Sequence, residues 1–83
     1  MTRDEMVAKC QRALDGEGPG LVMFSVEPGR KPPGFPRGEL INEVEMDGVR
    51  WQARVYNARK MLNWLNRPEI IEAFARKEKL VPQ

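Results

Sequence analysis

The stretch GELINEVEMDGVRWQARVY, residues 38–56, constrains the fold more than any other part of the chain. Asp47 and Gly48 tolerate the positive φ that a two-residue type I′ turn requires. Folding the chain about them pairs Met46 with Val49, Val44 with Trp51, Asn42 with Ala53 and Leu40 with Val55 on one face. The other face then pairs Glu45 with Arg50, Glu43 with Gln52, Ile41 with Arg54 and Glu39 with Tyr56. One face is nearly all apolar and the other mostly charged, so the register is well specified. The apolar face, Trp51 included, is expected to be core.

The flanking segments read as helices and one more strand. Thr2 and Glu5 have the spacing of a reciprocal cap at a helix start, and Met6, Cys10, Ala13 and Leu14 recur at helical spacing, so a helix is expected over Arg3 to Leu14, ended by Gly16. Cys10 lies on that stripe as a small core hydrophobe. LVMFSV, Leu21 to Val26, is too short for a stable helix and is expected to sit inside a sheet. Asn57 can cap a helix Ala58 to Leu65, with Ala58, Met61, Leu62 and Leu65 as its core stripe and Trp64 at the border. Pro68 suits the first turn of a last helix, with Glu69 and Glu72 near its start, Arg76, Lys77 and Lys79 near its end, and Ile70, Ile71 and Phe74 inward. The expected fold class is α+β, a small single domain over residues 1–83 in the order helix, strand, β-hairpin, helix, helix, with helices on one face of a three-stranded sheet.

Composition removes most catalytic chemistry. At 83 residues the chain buries only about 60 to 65% of its unfolded surface, enough for one core. With no His, one Cys, one Ser and one Thr, neither a zinc-type site nor a nucleophile with a His base can be assembled, and no metal or cofactor is expected. Glu39, Glu43 and Glu45 cluster near the hairpin tip, away from any apolar pocket that would raise a carboxyl pKa, and read as a solvated face. No apolar run is long enough to cross a membrane, the N-terminus carries charges where a signal peptide is apolar, and a lone cysteine suits a reducing compartment, so a cytoplasmic location is expected.

The net charge is +2, distributed as −1 over residues 1–26, −2 over 27–49 and +5 over 50–83. The C-terminal part is a basic lobe that would be drawn to an acidic partner. Between the first strand and the hairpin, residues 27–38 form a basic loop rich in Pro and Gly. Its PGRKP is similar to an AT-hook core, a minor-groove reader, although Lys31 and Pro32 stand where that pattern has a second Arg. The same loop also reads as a stiff crossover whose cations keep it in water and whose Phe35 packs down as an anchor. Arg59 and Lys60, in the first turn of their helix, oppose its dipole at a cost of about 0.3 to 1 kcal/mol each, which an anionic partner would offset.

The order FPRGEL, DG turn, VRW and KMLNWL resembles the wing and following helix of excisionase-type winged-helix proteins over residues 35–65. The position before the wing, where such proteins carry a recognition helix, is held here by LVMFSV and the Pro-rich loop, and the hairpin is acidic where a wing would meet phosphate. FPRGEL and KMLNWL also resemble small accessory proteins encoded by phages and prophages. That resemblance implies a bacterial host cell and a regulatory setting.

These readings converge on a non-catalytic accessory or regulatory protein that binds a macromolecule through Arg30, Lys31, Arg37, Arg54, Arg59, Lys60, Trp64 and Arg67. A protein partner, met by an inhibitor or adaptor that uses the acidic hairpin as well as the basic lobe, is favoured over nucleic acid. A homodimer that covers Ile41, Tyr56 or the edge of the first strand is a further expectation.

Overall fold

The computed structural model describes residues 1–29 and 34–76. Along the chain run α1 (Arg3–Asp15), β1 (Leu21–Val26), β2 (Glu39–Met46), β3 (Val49–Asn57), α2 (Ala58–Leu65) and α3 (Pro68–Ala75). This is the α+β order expected. Arg30, Lys31, Lys77 and Lys79 lie outside the described residues.

Local chemistry sets the element ends. Thr2 Oγ1 accepts from Glu5 N while Glu5 Oε1 accepts from Thr2 N, closing the capping box of α1. Asn57 Oδ1 accepts from Lys60 N at 2.9 Å and starts α2 without any intervening loop. Pro68 occupies the first turn of α3. Between β2 and β3, Asp47 and Gly48 have φ of 52° and 78°, the signature of a type I′ turn.

All three strands are antiparallel in the order β1-β3-β2, so β1 is an edge strand and β3 the central one. The hairpin pairs Met46 with Val49, Glu45 with Arg50, Val44 with Trp51, Glu43 with Gln52 and Asn42 with Ala53, as the alternation predicts. A β-bulge at Ile41 then shifts the register, setting Leu40 opposite Arg54 and Glu39 opposite Val55. This corrects the expected Leu40–Val55, Ile41–Arg54 and Glu39–Tyr56 pairs. The shift brings Gly38, in place of a carboxylate, against the ring of Tyr56. Tyr56 is buried, so it is neither solvent-facing nor a dimer contact as expected.

Helices cover one face of the sheet, and it is the face opposite to the one the hairpin pattern indicates. The core contains Met6 and Cys10 of α1, Val22, Phe24 and Val26 of β1, Tyr56 of β3, Ala58, Met61, Leu62, Trp64 and Leu65 of α2, and Ile70 of α3. Period-two counting explains the choice. Val22 pairs with Tyr56, and two residues after Tyr56 comes Ala58, the buried first residue of α2, so the chain enters α2 on the Tyr56 side. The ladder runs into that helix directly, Ala58 N donating to Gly20 O at 2.8 Å.

Two side chains fasten α1 to the rest. Arg3 Nε donates to Leu65 O and Arg3 Nη2 to Asn66 Oδ1, each at 2.8 Å, placing a cation at the negative end of α2. Lys9 Nζ lies 5.0 Å over the Phe24 ring and donates to Met23 O, occupying a carbonyl of the edge strand. In α3, Ile70 is buried and Phe74 half-buried, but Ile71 is exposed rather than inward.

Candidate functional site

Two shallow clefts flank the Phe35–Pro36 segment. One is lined by Phe35, Pro36, Arg37, Gly38 and Arg54, the other by Gly34, Pro36, Lys60, Asn63, Trp64 and Arg67. Phe35 holds the segment down as expected, with its ring edge-on to Trp64 at 4.9 Å and to Tyr56 at 5.6 Å. Gly34 has φ +77°, and a Cβ there would come 2.5 Å from Arg67 Nη1, so glycine lets the guanidinium lie against the loop.

Four of the eight expected contact residues therefore line adjoining clefts as cations: Arg37, Arg54, Lys60 and Arg67. Lys60, Asn63 and Arg67 follow one another along the exposed side of α2 and its C-terminal extension. Arg59 is exposed on the same helix but lines neither cleft. Arg37, Arg59, Lys60 and Arg67 form no ion pair with any described residue. Arg54 differs. It is half-buried, with Nη1 donating to Gly38 O at 2.7 Å and Nε to Gln52 Oε1 at 3.0 Å, and it ties the loop to the sheet.

Trp64 is corrected from contact residue to core. Only 2% of it is exposed, because the T-shaped stack of Phe35 covers the ring that the sequence placed at the helix border. Cys10 is likewise buried, and burial raises its thiol pKa above 9.0 while Lys9 acts in the opposite direction. That shift keeps it protonated and unreactive.

Beyond the clefts the helix side of the sheet alternates in sign. Arg54 is followed by Gln52, then Glu43 across the ladder, whose carboxylate lies 3.8 Å from Arg50 Nε, and Glu45 beside Arg50. A cationic ledge thus adjoins a strip of mixed charge.

The opposite sheet face carries what sequence reasoning misplaced. Leu21, Met23, Val44 and Met46 are 51%, 45%, 44% and 51% exposed, with half-buried Val49, Trp51, Ala53 and Val55 between them. Among the described residues no helix packs there. Trp51, expected in the core, stands on this open face opposite Val44. The signal was present in LVMFSV, which is apolar toward both sides of the sheet and so requires two covers, while three short helices supply one.

No family model, curated protein or solved structure matches the chain. Among the described residues no helix is long and apolar enough to cross a membrane.

Proposed function

We propose that this is a non-catalytic accessory or regulatory protein of the phage or prophage type, acting as an inhibitor or adaptor that docks its basic ledge on an acidic surface of a protein partner. The phage setting rests on the resemblance of FPRGEL and KMLNWL. One observation carries the docking proposal: Arg37, Lys60 and Arg67, with Arg59 exposed on the same helix, have no ion-pair partner among the described residues and lie beside a strip where Glu43 and Glu45 alternate with Arg50 and Arg54. Unpaired surface cations attract anions, and the neighbouring carboxylates select among them. A nucleic-acid backbone carries one sign of charge along its length and would meet repulsion at Glu43 and Glu45. A protein surface with interspersed signs can satisfy both halves.

The test uses the chain and a variant with Arg37, Arg59, Lys60 and Arg67 all changed to Ala. Binding to random duplex and single-stranded DNA is titrated at low and near-physiological salt, and complexes are recovered from nuclease-treated bacterial lysate. The expected result is no DNA binding at near-physiological salt, with a stoichiometric protein complex that the variant loses. DNA binding that persists there, falls steeply with salt and disappears in the variant would replace this reading with a nucleic-acid one.

A further inference from the structure

The uncovered sheet face has an internal pattern. Cross-strand pairing divides it into rows: Met23 with Val55, then Ser25 with Ala53 and Asn42, then Trp51 with Val44, then Val49 with Met46. The Ser25, Ala53, Asn42 row is small and polar, a groove between ridges of larger side chains. Along the central strand the outward residues read Val49, Trp51, Ala53, Val55 and Asn57, so that about residue 52 one Val lies on either side of a large and a small residue.

We infer that this face is covered by a second copy of the chain, packed about a two-fold axis that crosses the strands midway between Trp51 and Ala53. Such an axis lays β3 of one copy over β3 of the other in the opposite direction. It places Trp51 of each copy over Ala53 of its mate, ridge in groove, and Val49 over Val55. The sequence of β3 is complementary to its own reverse in size, as an isologous contact requires.

Charge and area both favour this occupant. The rows from Met23 to Met46 carry ionisable side chains at their rim: Glu39 at the outer end of the Met23–Val55 row, and Glu27, just past the end of β1, in a cleft with Val49 and Arg50. The middle of the face, across Ser25, Ala53, Asn42, Trp51 and Val44, is uncharged, so two identical faces can meet there without like-charge repulsion. Leu21, Met23, Val44 and Met46 are each about half exposed and Val49, Trp51, Ala53 and Val55 half-buried, so a pair of such faces would bury on the order of 1,200 Å², the lower bound for stable interfaces. Stacked sheets pack about 10 Å apart with interdigitating side chains, which the alternating large and small rows permit.

The ledge of Arg37, Lys60 and Arg67 lies on the helix side, so the dimer leaves it uncovered and presents two copies of it. The inference stands independently of the ledge's partner: a null result in the DNA and lysate experiments would leave it intact, and the experiment below does not probe the ledge.

Sedimentation equilibrium of the full chain over a concentration series, with circular dichroism to establish folding of each variant, tests the contact. The wild-type chain is expected to form a dimer with a micromolar or tighter dissociation constant. Trp51→Ala should weaken it by about 30-fold or more, as loss of a central aromatic anchor does. Ala53→Arg, which places a charge under the mate's indole, should abolish it. The decisive variant is the exchange, Trp51→Ala with Ala53→Trp. Ala53→Trp alone makes two indoles collide, whereas the exchanged chain again presents one Trp to one Ala across the axis and should recover dimerisation. A wild-type chain that stays monomeric at several hundred micromolar overturns the inference, as does a dimer indifferent to Trp51→Ala and Ala53→Arg. Failure of the exchange to recover what each single change loses overturns the proposed axis.

Discussion

Gly38 lies flat against the ring of Tyr56: a Cβ on residue 38 would come within 2.5 to 2.9 Å of three ring atoms. Tyr56 has no room to retreat, with Phe35 edge-on at 5.6 Å and Phe24 tilted at 6.2 Å. Gly38 has no positive φ, so its requirement is steric rather than conformational. Gly38→Ala should destabilise the fold by about 1 to 3 kcal/mol, the usual range for overpacking. In a domain of this size each kcal/mol lowers Tm by about 4 to 8 °C, which thermal melting by circular dichroism would read. An unchanged Tm would mean that the loop lifts off the ring.

The two tryptophans should respond oppositely. Trp64 is buried beneath Phe35 as part of the core cluster, so Trp64→Ala is expected to cost about 3 to 5 kcal/mol. An 83-residue domain has about 4 to 12 kcal/mol in total, so this change should leave it largely unfolded or close to it at 37 °C. Trp51→Ala, on the open face, should leave the isolated chain folded. Urea titrations of both variants at concentrations below dimer formation separate the two cases. A folded Trp64→Ala chain with near-normal stability would contradict the core assignment.

Caps were legible in the sequence because they are local. Thr2 with Glu5, Asn57 before Ala58, and Pro68 act within one helical turn, and each sets its element within a residue of where the pattern places it. The Asp47–Gly48 turn and the five pairs nearest to it follow from the same locality. Two non-local facts were not legible. The bulge at Ile41 answers to Tyr56, which becomes buried only when Phe24, Phe35 and α2 assemble around it. The choice of sheet face depends on which of the two apolar sides of β1 the helices take, and the hairpin alone points to the wrong one. Within the candidate site, Arg37, Lys60 and Arg67 fall together because Gly34 and Phe35 fold the loop back onto α2, a contact between segments about thirty residues apart. Arg3 and Lys9, which join α1 to α2 and β1, carried no sequence signal beyond an ordinary charged helix face.

The start of α2 is electrostatically mismatched. Its first turn holds Arg59 and Lys60 and no acidic residue, next to the partial positive charge of the helix N-terminus. Asn57→Asp keeps the capping acceptor and adds a negative charge there, so it should raise stability by about 0.3 to 1 kcal/mol at low ionic strength and less at high salt. Asn57→Ala should lower it by about 1 kcal/mol through loss of the cap. Denaturant midpoints at two salt concentrations would check both signs. A gain for Asn57→Asp that is insensitive to salt would point away from the dipole.

Tyr56 also makes a prediction about alkaline pH. Its hydroxyl oxygen is buried without a hydrogen-bond partner among the described residues, and burial raises its pKa above the ordinary 10.0 while Arg54 acts against the rise. With the folded-state pKa raised, the folded chain keeps a proton that the unfolded chain releases. The contribution to stability is therefore complete below pH 10 and is lost as pH climbs through the folded value. Cys10, raised from 9.0 by burial, gives the same sign one unit earlier, so stability should begin to fall above about pH 9 and fall further beyond pH 10. Tyr56→Phe removes both the ionisation and a buried hydroxyl that costs about 1 to 3 kcal/mol when unsatisfied. The variant should be as stable as the wild-type chain or more stable by about 1 kcal/mol at neutral pH, and should lose less stability above pH 10. Urea midpoints measured from pH 7 to 11 on both chains decide the matter, because a Tyr56→Phe chain that is weaker at neutral pH would show that the hydroxyl is hydrogen-bonded after all.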